Sequence, residues 1–324
     1  GLRIICRERT TSNSFLQIGL EVADDFRGNA NFGLSAGLRA AGLNAYGGAA
    51  DVLVNVGSSP EVTLRFYQPL DHRLMFFVEP LVSYHADDIE LYPGNNFSDE
   101  PIVTFQRRET ELGADVGAAI FRQRGVVRVG VRSLIGDYVY KSGVPLPDDS
   151  YTDSYYFAQF GWDTYDDLAF PSSGVRALIE DQRHIYQLGG DTKYQRGIFD
   201  LGVAHSLGDV AIVAEVAASL TDEAVDAPAA LVSTGGFLNL SGLPPSSRWG
   251  YQRAMSRLVV TRPIKRNLIL PESLTVYLGA SLEYGNVWLF RDELDSASAV
   301  TAGSVFLGTR TPLGPGYLAA GFAE

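Results

Sequence analysis

Cysteine, methionine, basic charge and long apolar runs are all scarce in this sequence. The 324 residues contain one cysteine, Cys6, and two methionines. One cysteine excludes an intrachain disulfide, and none of the four histidines lies at metal-ligand spacing to it or to another histidine. Cys6 reads as a small residue in a terminal strand rather than as a reactive thiol. No run of about 18 apolar residues exists, which excludes a transmembrane helix. Lysine and arginine number 26 against 38 aspartates and glutamates, a net charge of −12. That balance argues against nucleic acid as a partner. It suits acidic extracellular loops, and equally an ordinary acidic protein. The helical period is missing too.

The period that is present is two. In Leu274–Trp288, Leu274, Val276, Leu278, Ala280 and Leu282 fall on one face. Thr275, Tyr277, Gly279, Ser281, Glu283 and Gly285 fall on the other. Val127, Val129 and Val131 alternate in the same way with Arg128, Gly130 and Arg132. An oily core on that second face would strand two guanidinium groups, whereas a wet lumen accepts them. Transmembrane β-strands alternate apolar-out and polar-in, so a mean hydropathy near zero does not exclude a membrane protein. The 34 glycines and 16 tyrosines suit bent strands and aromatic girdles.

Alternating segments recur along the chain with turns of a few residues between them. They run over 14–25, 31–41, 49–57, 61–70, 74–92, 102–121, 126–141, 150–166, 175–188, 194–207 and 210–221. The series resumes at 251–264, 274–288, 302–312 and 316–323. Many exceed the usual five or six residues of a soluble strand. The fold class expected is all-β: a 16-stranded antiparallel transmembrane barrel with fifteen strands present. A sixteenth, closing strand is expected beyond Glu324. A long segment from Gly235, GGFLNLSGLPPSSRWG, interrupts the strands. It is read as a non-strand loop folded into the lumen against the face that carries Glu283.

Four stretches carry a family resemblance. They are YQPLD (67–71), WDTYDDLAFPSSG (162–174), GGFLNLSGL (235–243) and TPLGPGYLAAGFAE (311–324). Together they resemble the Omp85 superfamily of outer-membrane barrels, over nearly the whole chain. The arrangement looks closest to the barrel behind patatin-like phospholipases in type Vd autotransporters. The resemblance implies that residues 1–10 end a preceding periplasmic POTRA-like module and that 11–324 are the barrel, truncated at its C-terminus. It singles out Ser241, Gly242, Leu243, Glu283 and Gly285 at the loop and its wall. It also singles out Asp163, Asp166, Phe170, Pro171 and Gly174 in the D-x-x-D…FP-x-x-G segment. In the wider superfamily an arginine at the loop tip meets an aspartate on the wall. Here Ser241 and Glu283 stand in those places, so a hydrogen bond, direct or through water, is expected where the salt bridge would be.

The implied function is an outer-membrane anchor and translocator for an N-terminal phospholipase passenger. That passenger's catalytic residues would lie upstream, so this chain carries none. The alternatives are an assembly or secretion factor and, in another class, a barrel hydrolase or passive pore. The implied partners are outer-membrane lipid and the chain's own passenger, with the outer-membrane assembly machinery and a homodimer left open. No cofactor or metal is expected. Gly33–Gly37 spells G-x-S-x-G, but a hydrolase elbow needs a strand, a sharp turn and a helix, and no helix follows. His85 and His184 read as loop-end or lumen residues, His72 and His205 are isolated, and Asp87, Asp88 and Glu90 are an acidic loop rim. The barrel reading predicts heat-modifiable gel mobility and a β-rich circular dichroism spectrum in detergent. A chain that stays soluble and monomeric without detergent contradicts it.

Overall fold

The computed structural model describes residues 14–24, 30–91, 101–145, 147–222, 227–264, 275–311 and 314–324. The expected POTRA-like end over 1–10, Cys6, the FRGN turn and Leu274 lie outside the described residues. Fifteen long strands form one antiparallel sheet in which each strand pairs with its neighbours in sequence. The first eight are β1 (Ser14–Asp24), β2 (Ala30–Ala41), β3 (Ala49–Gly57), β4 (Glu61–Pro69), β5 (Phe76–Leu91), β6 (Val103–Ile120), β7 (Gly125–Gly143) and β8 (Asp149–Asp163). Then come β9 (Gly174–His184), β10 (Tyr194–Leu207) and β11 (Val210–Asp222). Two three-residue strands, β12 (Val232–Thr234) and β13 (Arg248–Gly250), pair only with each other. The sheet resumes with β14 (Gln252–Pro263), β15 (Val276–Trp288), β16 (Val300–Thr311) and β17 (Gly314–Ala323). Among the described residues no ladder joins β1 to β17, so the sheet is not closed.

Beyond shifts of one or two residues at other strand ends, three features differ from the sequence reading. The strand expected to reach Asp166 stops at Asp163, because the next carboxylates bond backbone amides and turn the chain inward. The strand expected to reach Leu188 stops at His184 and gives way to a 3-10 turn over Tyr186–Leu188. The long inward segment is not wholly irregular, since Arg248–Gly250 is the second half of a short hairpin. That hairpin pairs its own backbone groups and lies against β15, where Arg248 donates to Asn286 Oδ1 at 2.6 Å.

The two faces sort as the alternation requires. Leu278 and Leu282 are 54 % and 56 % exposed, while Glu283 between their rows is fully buried. Val127, Val129 and Val131 are exposed on the outside. Their neighbours Arg128 and Arg132 face inward into an ion-pair ladder. Arg128 meets Glu79 at 3.0 Å, and Arg132 meets Glu111 at 2.7 Å and also Asp115. The inner wall thus holds charges in pairs, and the outer wall presents aliphatic side chains to lipid.

A charge placed on the lipid face near mid-strand costs about 2–4 kcal/mol in a transmembrane barrel. Leu282→Arg is therefore expected to lower folding stability in lipid vesicles by that order. Gln17→Arg, on the open inner wall of β1, should not pay this lipid penalty. Equal losses in urea titrations of the two variants would contradict the facing.

Candidate functional site: an inward loop docked on Glu283

The segment between β11 and β14 enters from the end of the sheet where the longer connections lie. Its tip is built by tight turns. Leu238 and Leu240 adopt positive φ, as do Gly235, Gly236 and Gly242. Gly235 N–H donates to Asn239 O at 2.9 Å, and Gly236 N–H donates to Leu243 O at 3.1 Å. The Asn239 amide closes the turn onto Gly235 O. These bonds bring Ser241 to the apex.

Ser241 donates twice to Glu283: its backbone N–H to Oε2 at 2.7 Å and its hydroxyl to Oε1 at 2.7 Å. Ser281, two residues before Glu283 on the inner face of β15, donates its hydroxyl to the same Oε1 at 2.5 Å. The contact expected in place of a salt bridge is therefore a direct, fork-like set of hydrogen bonds with no water between. Three donors on one carboxylate let it stay desolvated without a cation. Arg257, opposite Glu283 on β14, is engaged with Glu215 and with Leu238 O at 2.7 Å. Arg253 reaches Asn239 Oδ1 at 2.6 Å. Leu240 is fully buried with Met255, Val300 and Ala302, and Leu243 packs against that cluster.

Gly242 shows why the residue after the apex carries no side chain. Its φ is +97°, and a Cβ there would strike the backbone of Phe322 and lie 2.7 Å from Ala323 N. The tip thus lies flat on β17. On the wall, a Cβ at Gly285 would meet Ala254 O at 2.5 Å, so that glycine lets β14 and β15 approach closely.

The second segment, 163–174, folds in from the opposite end. Asp163 caps Tyr165 N–H, Asp167 caps the amides of Ala169 and Phe170, and Asp166 accepts the amides of Ser172 and Ser173 and the Ser172 hydroxyl. Desolvation pushes the Asp166 carboxyl up, but the bonds from Ser172 and Ser173 outweigh it and hold it down at about 2. Gly174 closes the excursion at φ +115°, where a Cβ would strike Thr164 O. Phe170 is delivered across to the far wall, with Pro171 half-buried behind it. It stacks on Tyr277 with ring centroids 4.3 Å apart and the planes 7° from parallel, and Asp167 pairs with Arg310 at 3.0 Å.

The two inward segments share a wall. Phe170 and Phe237 both contact the ring of Tyr317 on β17, at 5.4 and 5.2 Å. The sequence singled out Phe170 but neither Phe237 nor Tyr317; the alternation placed Tyr317 in a strand without saying what it would meet. Both segments leave the wall of β1–β4 uncovered. There Gln17, Arg39, Asp51, Glu61, Thr63 and Arg65 line a cleft of about 410 Å³.

The remaining candidates are placed as follows. The G-x-S-x-G pentapeptide lies extended within β2. His184 is buried on the inner wall, bonded through Nδ1 to Asp153 and stacked on Tyr194. His85 bonds Glu109 at 2.7 Å. Asp87 pairs with Arg107 and Asp88 with Lys141. Among the described residues no group of three or more His, Cys, Asp or Glu side chains is arranged to hold a metal ion.

No protein-family model matches the chain, and no curated protein sequence does. Solved structures do match. One is BamA from Haemophilus ducreyi lacking POTRA domains 1–3, with a TM-score of 0.71 at 13 % identity over 97 % of this chain and 67 % of that one. CdiB from Escherichia coli matches with a TM-score of 0.66 at 12 % identity, over 96 % of this chain and 59 % of that one. CdiB from Acinetobacter baumannii matches with 0.58 at 9 % identity over the same shares. The likeness shows the fold: the chain shares the β-barrel architecture of BamA and CdiB.

The tip geometry yields a double-mutant test. Glu283→Gln removes an acceptor from a fully buried site, and Ser241→Ala removes one donor. Each is expected to cost about 1–3 kcal/mol of barrel stability. Because the groups bond each other, the two losses should fall short of additive by more than about 0.5 kcal/mol, read from the loss of the heat-modifiable form. Additive losses would mean that the contact does not hold the tip.

Proposed function

We propose that this chain is the translocator and anchor of an outer-membrane protein with an N-terminal patatin-like phospholipase passenger. One observation carries the reading most directly: Ser241 and Glu283 form the hydrogen-bonded tip contact where the wider superfamily's resemblance implies an Arg–Asp pair. That substitution accompanies the motif arrangement that resembles the patatin-fused barrels. The strands hold the protein in the bilayer, and the lumen with its inward loop provides the guarded passage. Export proceeds along the uncovered β1–β4 wall, whose mixed charges suit a passing polypeptide, with the loop displaced or the seam beside β17 opened. The chain performs no covalent chemistry, and lipid hydrolysis belongs to the passenger. POTRA-like residues before β1 would present that passenger at the periplasmic mouth.

The second reading is a factor that assembles or secretes other proteins. It is favoured by the likeness of fold to BamA and CdiB. The chain spans 67 % of that BamA chain and 59 % of each CdiB chain, so the activity of a whole protein goes beyond the part seen here.

The test is the mass and sequence of the native product in the membrane fraction, with protease shaving of intact cells. An upstream domain with a helix-following G-x-S-x-G, releasable from the cell surface together with esterase activity, is the expected result. Several small upstream repeats with no such elbow, and loss of other outer-membrane proteins on depletion, would replace it with the assembly reading.

A further inference from the structure

The end of the sheet opposite the inward loop carries a basic rim above an aromatic patch. Two turns build it, Leu70–Met75 between β4 and β5 and Phe121–Arg124 between β6 and β7. The turns are adjacent, since Ala119 N–H donates to Met75 O at 2.7 Å across the β5–β6 ladder. On the other side Asp163 N–H donates to Arg124 O at 2.9 Å, which ties the second turn to the end of β8.

Phe76 and Trp162 lie on the outer face at the strand ends beside these turns, and Phe121 opens the second turn. Phe76 and Phe121 are exposed. Phe121 meets Trp162 edge-on with centroids 5.5 Å apart. Trp162 lies opposite Gly125, on the face that Val127 and Val129 continue. Outward aromatic rings at strand ends mark the depth where hydrocarbon gives way to headgroups.

At that depth stand Arg73, Arg122 and Arg124, all exposed. The positive φ of Phe121, Arg122 and Gln123 makes the second turn tight and carries both of its arginines at the tip. Among the described residues none of the three makes an ion pair, unlike the arginines of the inner wall. The nearby carboxylates point elsewhere. Asp71 accepts the backbone amides of Arg73, Met75 and Phe76, and Asp163 accepts that of Tyr165. The two turns thus carry three guanidinium groups against one carboxylate, in a chain whose net charge is −12. The opposite end has the reverse balance: among its described connections stand Asp148, Asp191, Asp292, Glu293 and Asp295 against Lys193 and Arg291.

We infer that Arg73, Arg122 and Arg124, with Phe121 and Trp162 beneath them, form a binding site for the phosphate headgroup of an anionic phospholipid. Guanidinium forks fit phosphate oxygens, and the aromatic pair packs against the upper acyl chain. This orients the barrel by chemistry: the short-turn end prefers a leaflet containing anionic phospholipid. The inference needs only the barrel fold, not a phospholipase passenger.

The test uses this chain with Trp249→Phe and Trp288→Phe, so that Trp162 is the sole tryptophan, refolded into phosphatidylcholine vesicles containing phosphatidylglycerol. Quenching of Trp162 is measured with bromine on the acyl chains of one lipid or the other, and the ratio gives the local preference. Each guanidinium beside an anionic headgroup is expected to contribute roughly fivefold, from about 1 kcal/mol per basic residue at such a surface. The preference for phosphatidylglycerol should therefore exceed tenfold, fall towards one with Arg73→Gln, Arg122→Gln and Arg124→Gln together, and survive the corresponding lysine changes. Heat-modifiable mobility confirms that each variant is folded; should the triple variant not fold, Arg122→Gln alone must still lower the preference severalfold. An unchanged preference in the folded glutamine variants would overturn the site. An equal loss on replacing Lys141, Arg183 and Lys193 at the far end would also overturn it, because net charge would then be the cause. A preference abolished by inorganic phosphate at constant ionic strength would mark a free-anion site instead of a lipid site.

Discussion

Everything in this molecule follows from the cost of leaving a backbone amide unpaired in hydrocarbon. Each such group costs several kcal/mol, so a chain without membrane-spanning helices crosses only as a sheet whose strands satisfy one another. The sequential antiparallel order of fifteen strands is the plainest solution, because each strand pairs with the one just made and connections stay short. Once the sheet wraps, the alternation does the rest. Leucines and valines such as Leu282 and Val129 meet lipid, and the ion pairs of Arg128 and Arg132 meet the lumen.

A wet lumen is also what permits the two inward segments. Each is irregular backbone at membrane depth, tolerated because it lies within the protein and supplies its own hydrogen bonds. The loop tip uses a carboxylate as its acceptor, and 163–174 uses three aspartates as caps. Neither segment is held by apolar burial alone. The tip's anchor at Glu283 has no cation, which sets it apart from the ion-pair ladder on the facing wall. Its strength therefore depends on three directional bonds rather than on charge.

Much of this was legible in the sequence, for a physical reason. A period of two is a direct image of a sheet with unlike faces, so the strand count and the facing of Glu283 could be read without coordinates, while the inward course of GGFLNLSGL came from the family resemblance. Strand ends were less legible. Asp163 and His184 end strands through side-chain and 3-10 bonding that alternation does not encode. The short hairpin of β12 and β13 was missed because three residues are too few to show a period. Cross-lumen contacts such as Phe170 with Tyr277, or Phe237 with Tyr317, depend on how the sheet curves, which no local pattern records. The arginines of the basic rim belong to two turns separated in sequence, and only the structure shows the turns to be side by side.

The central claim is that the two faces of β15 see lipid and lumen, with the loop tip seated on the latter. The direct measurement is a fluorescence scan with single cysteines at positions 278–283 in a Cys6→Ser background, quenched by brominated acyl chains in vesicles. The account predicts strong quenching at Leu278, Ala280 and Leu282 and little at Gly279, Ser281 and Glu283. Quenching that is uniform along the strand, or strongest at 281 and 283, would contradict it.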